Sequence, residues 1–111
     1  AGAEALSSLL ALSPRPTAVC CISDENAIPL VHALRSYGFR VPEDISVIGF
    51  DDWPMAQALN ISTVRHDPRS YGALAADAAI RLSRGEILTE SCIVVPTTLM
   101  LRGTTGPAPR D

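Results

Sequence analysis

The sequence predicts an α/β fold with a mainly parallel sheet flanked by helices. Two apolar runs rich in β-branched residues, TAVCCI at residues 17–22 and ISVIGF at residues 45–50, have strand length and are typical of strands covered on both faces. Segments with helical periodicity alternate with such runs, which favours parallel pairing. At 111 residues and 47% hydrophobic content, the chain has the length and composition of one domain with an aliphatic core.

The first two helices are predicted from apolar periodicity and from their end signals. Residues 4–12 form a short amphipathic helix that the breaker run Ser-Pro-Arg-Pro closes. The second helix places four apolar residues on one face at i, i+3, i+4 and i+7 spacing and ends near Tyr37. We expect it to begin at Asn26, because that start keeps Pro29 within the first turn; with a start at Asp24 we expect a local distortion of the helix instead.

The second half of the chain is predicted to contain one helix and three short strands. The helix is indicated by an apolar face within residues 71–82 and by a glycine stop soon after it. The strands are predicted at residues 61–65, 91–95 and 98–102, and a loop or short helix precedes the first of them.

Composition limits the partners that the chain can have. The net charge is −3 and the nine basic residues, all arginine, are dispersed, which argues against direct contact with nucleic acid. No apolar stretch approaches membrane-spanning length, and the first residues lack the positive region of a signal peptide, so we expect a soluble cytoplasmic protein. The three cysteines, Cys20, Cys21 and Cys92, have no zinc-type spacing and are expected to be buried free thiols. We predict no metal and no cofactor.

Polar residues follow both predicted buried strands, at the edge where parallel sheets bind ligands. Ser23 and Asp24 come after the first strand, and Asp51 and Asp52 come after the second. A carboxylate at this edge can accept hydrogen bonds from vicinal hydroxyls of a sugar. In the alternative interpretation, Asp24 caps the following helix and the Asp pair forms a turn. We favour the cap for Asp24, whereas the residues alone leave both interpretations of Asp51 open.

The run PTAVCCISDENAIPLVHALRSYGFRVPEDISVIGFDD resembles the signature of the LacI/GalR family of bacterial transcriptional regulators. That signature has a Pro-Thr-Ala-led strand, an Asn-Asp helix start, a Val-Pro-x-Asp turn and a strand that closes in Gly-Phe-Asp-Asp. Downstream, ISTVRHDP is similar to the crossover of the family, and the spacings YGxxA and VPxxLxxR match the following helix and the closing strands. Together these pieces cover residues 14–105.

The resemblance implies a two-lobed sensor similar to periplasmic sugar-binding proteins, with an effector held between the lobes. On this basis Asp51 matches the carboxylate that contacts effectors, Ser23 stands where the family has a ligand-touching Asn, and His66 stands where a Gln is common. Asp24 matches the Asp at the helix start, which we interpret as a structural cap. Trp53 has two possible roles: it stacks on a sugar ring, or it packs under the loop or at a dimer face.

The resemblance also implies that residues 1–111 form a single incomplete effector-binding domain of the periplasmic-binding-protein-like type I fold. Residues 1–64 would belong to the C-terminal lobe, and residues 65–92 would cross into the N-terminal lobe. Residues 93–105 would form closing strands, and residues 106–111 a disordered tail. The helix-turn-helix head of the family is expected to be absent from this chain.

The function that follows is effector sensing and dimerisation in a transcriptional regulator, without enzymatic activity. The expected partners are a small-molecule effector of the sugar type, a second copy of the chain, and DNA only through the missing head; no membrane is expected. The alternative is a periplasmic-type sugar-binding protein for transport. The family signature and the lack of a signal peptide argue against it. A phosphoryl-accepting receiver would need a lysine, which this chain lacks. The sequence also contains no nucleophile elbow, so it does not predict a hydrolase.

Overall fold

The computed structural model describes residues 2–110, which divide into two compact units. The first unit runs to Arg65 and resumes at Leu99, and the second is His66–Thr98. The elements in chain order are α1 (Gly2–Leu10), β1 (Ala18–Cys20), α2 (Asp24–Ser36), β2 (Ser46–Ile48), α3 (Pro54–Ala58), β3 (Thr63–Arg65), α4 (Pro68–Ser83) and β4 (Thr98–Met100).

Parallel pairing dominates the first unit. β1 and β2 pair in parallel over three residues each, and β3 pairs with β4. Two isolated parallel bridges, Ile48–Ser62 and Asp51–Arg65, join the β2 segment to the β3 segment. The prediction of an α/β fold with a mainly parallel sheet is therefore confirmed.

The apolar core of the first unit lies around α2 and β2. It includes the four residues of the predicted helical face together with residues from α1, β2, α3 and the connecting segments. The buried members are Leu6, Ala27, Leu30, Val31, Leu34, Val41, Ile45, Val47, Ala56 and Ile61. β1 and the two residues after it are covered on one face and not on both as predicted: Val19 and Cys21 pack against the core, whereas Ala18, Cys20 and Ile22 on the opposite face are exposed.

Helix α2 begins at Asp24, so the predicted start at Asn26 is wrong. The Asp24 amide donates to the Phe50 carbonyl at 2.8 Å, and this long-range bond helps to hold the helix start in place. Pro29 consequently lies inside the helix, where it cannot donate the usual backbone bond. Helix α1 approaches α2 at this point so closely that a Cβ on Gly2 would lie 2.8 Å from the Pro29 carbonyl oxygen.

In the second unit α4 is the only helix among the described residues, and none of its residues is buried. Asp67 caps it by accepting from the Arg69 amide at 3.0 Å and from the Ser70 hydroxyl at 2.7 Å. The strand predicted at residues 91–95 is not formed, because within the described range no neighbouring strand pairs with this segment.

The prediction of buried cysteines needs correction. All three cysteines are free, but Cys20 and Cys92 are exposed because one lies on the outward face of β1 and the other in the unpaired segment. Burial, and then the neighbouring Cys20, raise the pKa of the half-buried Cys21 thiol. At the first residue of the predicted tail, the Gly106 amide donates to the Ser46 hydroxyl at 3.1 Å. No helix within residues 2–110 is long and apolar enough to cross a bilayer.

Candidate functional site

The loops that follow β1 and β2 meet at one edge of the sheet, as their sequence positions predict. The bond from the Asp24 amide to the Phe50 carbonyl links the two loops directly. Ser23 therefore lies on the same edge as Asp51 and Trp53, which come one and three residues after Phe50. The edge carries two adjoining loops rich in polar side chains.

Asp51 begins a strained turn. Its φ angle is 108°, and that of Asp52 is 60°, so two consecutive residues other than glycine adopt the left-handed region. Each such residue costs on the order of 1–3 kcal/mol and persists only where surrounding contacts hold it. Here the Asp51 amide donates to the Val64 carbonyl at 2.9 Å, and Asp51 forms a parallel bridge with Arg65. The Asp51 side chain is partly exposed at the sheet edge, so both a turn role and a ligand role fit its surroundings.

Asp52 is buried and paired with two arginines. Its side chain is 1% exposed, and its two oxygens lie 2.6 Å from the Arg65 Nε and 2.7 Å from an Arg102 Nη. Burial alone would raise the pKa of this carboxyl, but the hydrogen bonds and charges of Arg102 and Arg65 outweigh it and lower the pKa. Asp52 is thus a structural carboxylate in its ionised form.

This geometry predicts that the contribution of Asp52 to the stability of the folded protein depends on pH. Because its folded-state pKa lies below the unfolded value of about 4, the stabilisation is present above about pH 4 and is lost as the pH falls through the folded-state pKa. Asp52→Asn should therefore lower the melting temperature at pH 7 and have a smaller effect at pH 3. Thermal denaturation across this range measures the difference.

The matched control is Asp44, which forms an exposed pair with Arg40 at 2.6 Å. The hydrogen bonds from Arg40 lower the pKa of Asp44 to about 2, but solvent screens this pair, so Asp44→Asn should change the melting temperature less at either pH. A pH-independent gap between Asp52→Asn and the wild type would contradict the assignment.

Asp24 does not cap its own helix, so that prediction is wrong. It occupies the first helical position, and its fully buried carboxylate accepts from the Thr63 hydroxyl at 2.6 Å and from the Trp53 amide at 2.7 Å. The strand residue Gly49 accommodates this carboxylate, because a Cβ there would collide with its Oδ1. Asp24 therefore ties three segments that are far apart in sequence.

The other predicted site residues fall into two groups. Ser23 is the N-cap residue of α2, but its hydroxyl makes no bond to the helix backbone and instead accepts from the Asn26 side chain at 3.0 Å. Trp53 is 43% exposed at the N-terminus of α3. His66 belongs to the second unit, where its ring meets Tyr71 edge to face at 5.4 Å. Ser23, Asp51 and Trp53 thus share one unit, and His66 lies on the other.

A buried polar network behind the edge was not foreseen from the sequence. The Ser62 amide donates to the Thr104 hydroxyl at 2.9 Å, which in turn donates to the Val47 carbonyl at 2.7 Å. The Ser62 hydroxyl accepts from the Arg102 amide at 2.8 Å. These side-chain bonds connect segments of the sheet that lack a complete backbone ladder. The only sequence signal was the presence of Ser, Thr and Arg in and beside apolar strand segments.

Each unit has an apolar groove, and none of the predicted site residues lines either groove. The groove of the first unit has a volume of about 240 Å³, and its lining is Ile28, Val31, His32, Arg35, Leu59 and Ile61. The groove of the second unit has a volume of about 270 Å³ and lies between α4 and residues 88–95. Among the described residues no group of three or more His, Cys, Asp or Glu side chains is arranged to hold a metal ion.

Residues 1–105 match the sequence model of a family described as the periplasmic binding protein-like domain. The ribose operon repressor of Haemophilus influenzae is 33% identical over 103 residues, which are 91% of this chain and 31% of that protein. A LacI family transcriptional regulator from Bifidobacterium animalis superposes with a TM-score of 0.85 at 36% identity, over 96% of this chain and 40% of that one. The lac repressor dimer bound to operator and the anti-inducer ONPF superposes with a TM-score of 0.80 at 29% identity, over 94% of this chain and 37% of that one.

The chain therefore belongs to the periplasmic binding protein-like domain family, as part of the effector-binding domain of LacI/GalR-type transcriptional regulators. The resemblance found in its motifs is confirmed, and so is the type I fold that it implies. The chain spans about a third of the length of the curated ribose repressor and about two fifths of the solved regulators.

Proposed function

We propose that this domain senses a sugar or sugar derivative and dimerises, and so controls DNA binding by a helix-turn-helix head outside these 111 residues. One observation carries the proposal: Asp51, which stands at the effector-contacting position of the family signature, lies partly exposed in a strained turn at the sheet edge. The ribose operon repressor and the lac repressor bound to the anti-inducer ONPF, among its relatives, support a sugar as the effector class.

The chemistry of the edge suits a polyhydroxylated ligand. A carboxylate accepts two hydrogen bonds from vicinal hydroxyls, and hydrogen bonds to a charged group contribute about 1.5–3 kcal/mol each. The exposed indole of Trp53 can pack against the C–H face of a sugar ring. The Ser23 hydroxyl adds a short polar contact on the same edge.

Fluorescence of Trp53, the single tryptophan of the chain, tests this proposal. We expect D-ribose, L-arabinose or lactose to change its emission in a saturable way, because the indole lies beside Asp51. In the Trp53→Phe control the signal should vanish, while calorimetry still detects binding of the same sugar. If neither fluorescence nor calorimetry detects binding of any of the three sugars, the proposed effector class is wrong.

Self-association is expected through the apolar groove of the first unit. The family dimerises partly through the helix that matches residues 27–37 and the loop after Asp52, and Leu59, which lines this groove, is 47% exposed. Light scattering at tens of micromolar should show a dimer or larger species for the wild type. Leu59→Glu should shift the protein towards monomer, whereas Leu12→Glu, on a similarly exposed leucine outside the groove, should not. A clean wild-type monomer would contradict this expectation.

Specific DNA binding by the 111-residue chain itself is not expected. Its net charge is −3, and its arginines are dispersed instead of forming a basic stripe. A gel shift at physiological salt should show no difference between an operator duplex and a scrambled one. Retention of the operator alone would assign DNA contact to this domain.

A further inference from the structure

We infer that Asp52 is a positioning residue that, with Arg65 and Arg102, fixes the backbone of residues 51–53, here called the effector loop, and thereby the direction of the Asp51 carboxylate. This inference rests on the proposed role of Asp51. It assigns the two aspartates of the pair different tasks: the first meets the ligand, and the second holds the first in place.

The contacts of Asp52 make it a firm anchor. Each carboxylate oxygen of Asp52 is paired with one arginine: Oδ2 lies 2.6 Å from the Arg65 Nε, and Oδ1 lies 2.7 Å from the Arg102 Nη2. The Asp52 side chain is 1% exposed. Arg102 is itself 14% exposed and donates a second time, from Nη1 to the Ile61 carbonyl at 2.9 Å. Its backbone amide is bonded to the Ser62 hydroxyl as well. The anchor therefore rests on a guanidinium that is already fixed to the β3 segment.

The backbone next to this anchor needs such support. Asp51 and Asp52 have φ angles of 108° and 60°, which side-chain-bearing residues rarely adopt, so without external contacts the turn would relax. Three successive residues are each held by a contact from outside the turn. The Asp51 amide donates to the Val64 carbonyl, and the Trp53 amide donates to the Asp24 carboxylate. Between them, the Asp52 carboxylate accepts a hydrogen bond from Arg65 and forms an ion pair with Arg102. Removing the central contact releases the peptide that orients Asp51.

The first test needs no ligand. Amide hydrogen exchange, followed by NMR on the 111-residue chain, compares Asp52→Asn with Asp44→Asn, which breaks an exposed ion pair of the same length. We expect the amides of Asp51 and Trp53 to exchange at least tenfold faster in Asp52→Asn, with amides of α1 changed no more than in Asp44→Asn. Equal exchange at these two amides in both variants would overturn the inference.

The second test separates positioning from stability. Affinity for D-ribose, L-arabinose and lactose is measured for Asp52→Asn and for Leu6→Val, a variant of a buried core leucine on α1, at a temperature where both are fully folded. Asp52→Asn should lose at least tenfold in affinity while Leu6→Val keeps the wild-type value. Arg102→Lys, which retains the charge, should recover part of the affinity that Arg102→Gln loses. Equal affinities in Asp52→Asn and Leu6→Val would overturn the inference.

The two tests also distinguish the failure of this inference from the failure of the proposed function. If the wild type binds none of the three sugars, the proposed effector class fails, and the exchange rates alone then decide whether Asp52 positions Asp51. If the wild type binds and Asp52→Asn binds equally well, the proposed function stands and the positioning role is refuted.

Discussion

Replacing Asp51 with asparagine is expected to weaken effector binding by tenfold or more. Hydrogen bonds to a charged group contribute about 1.5–3 kcal/mol each, and the loss of about 1.4 kcal/mol is already a factor of ten in affinity. Asparagine tolerates the left-handed backbone that Asp51 adopts at φ 108°, so the melting temperature should change little. Calorimetric titration of the full protein with the sugar that it binds measures the loss.

The opposite pattern would refute the site assignment. If Asp51→Asn binds the sugar like the wild type while its melting temperature falls, Asp51 is a turn residue. Trp53→Phe, which keeps an aromatic face at the same edge, serves as the comparison because it should lose less affinity than Asp51→Asn.

Asp24→Ala is expected to lower the free energy of unfolding by about 2–5 kcal/mol. The substitution leaves the buried Thr63 hydroxyl and the part-buried Trp53 amide without their acceptor, and a buried unsatisfied group costs about 1–3 kcal/mol. The matched control is Asp67→Ala, which removes a true helix cap at α4 and should cost about 1 kcal/mol.

Urea denaturation at pH 7 compares the two variants. A loss for Asp24→Ala no larger than that for Asp67→Ala would mean that Asp24 acts only locally at its helix start. The structure also changes what Asp24 is expected to do for the ligand: because it holds the Trp53 amide, its removal should disturb the effector loop as well as the fold.

Much of the fold was predictable because it depends on local patterns. The apolar spacing of α2 identified its buried face, including Leu30 and Leu34, and the β-branched runs located β1 and β2. The position of Asp51 at the end of a buried strand placed it at the sheet edge without any knowledge of tertiary contacts. Periodicity and strand order determine these features, and both can be read from neighbouring residues.

The features that were missed depend on partners distant in the sequence. The Asp24 carboxylate accepts from the hydroxyl of Thr63, 39 residues away. The local cap pattern instead predicted donors from the backbone of its own helix. Likewise the arginine partners of Asp52 come from the segments of β3 and β4. The start of α2 was misplaced for the same reason, because the bond to Phe50 holds the helix start at Asp24.

Coverage of strand faces and edges also could not be predicted locally. TAVCCI has the composition of a buried strand, yet only the face with Val19 and Cys21 packs against the core, and Cys20 on the opposite face is exposed. Residues 91–95 have the composition of a strand but remain unpaired within the described part of the chain. The composition of a segment indicates its preference for extended backbone. Pairing also requires a neighbouring strand, which the composition of the segment does not identify.

The most direct test of the account is whether a sugar changes the DNA affinity of the full protein. Its operator can be selected from random duplexes, and binding can then be followed by fluorescence anisotropy with and without D-ribose, L-arabinose and lactose. The account predicts that at least one sugar shifts the operator dissociation constant by fivefold or more, the size typical of allosteric coupling (about 1–3 kcal/mol), and that Asp51→Asn abolishes the shift. An operator affinity that none of the sugars changes would contradict it.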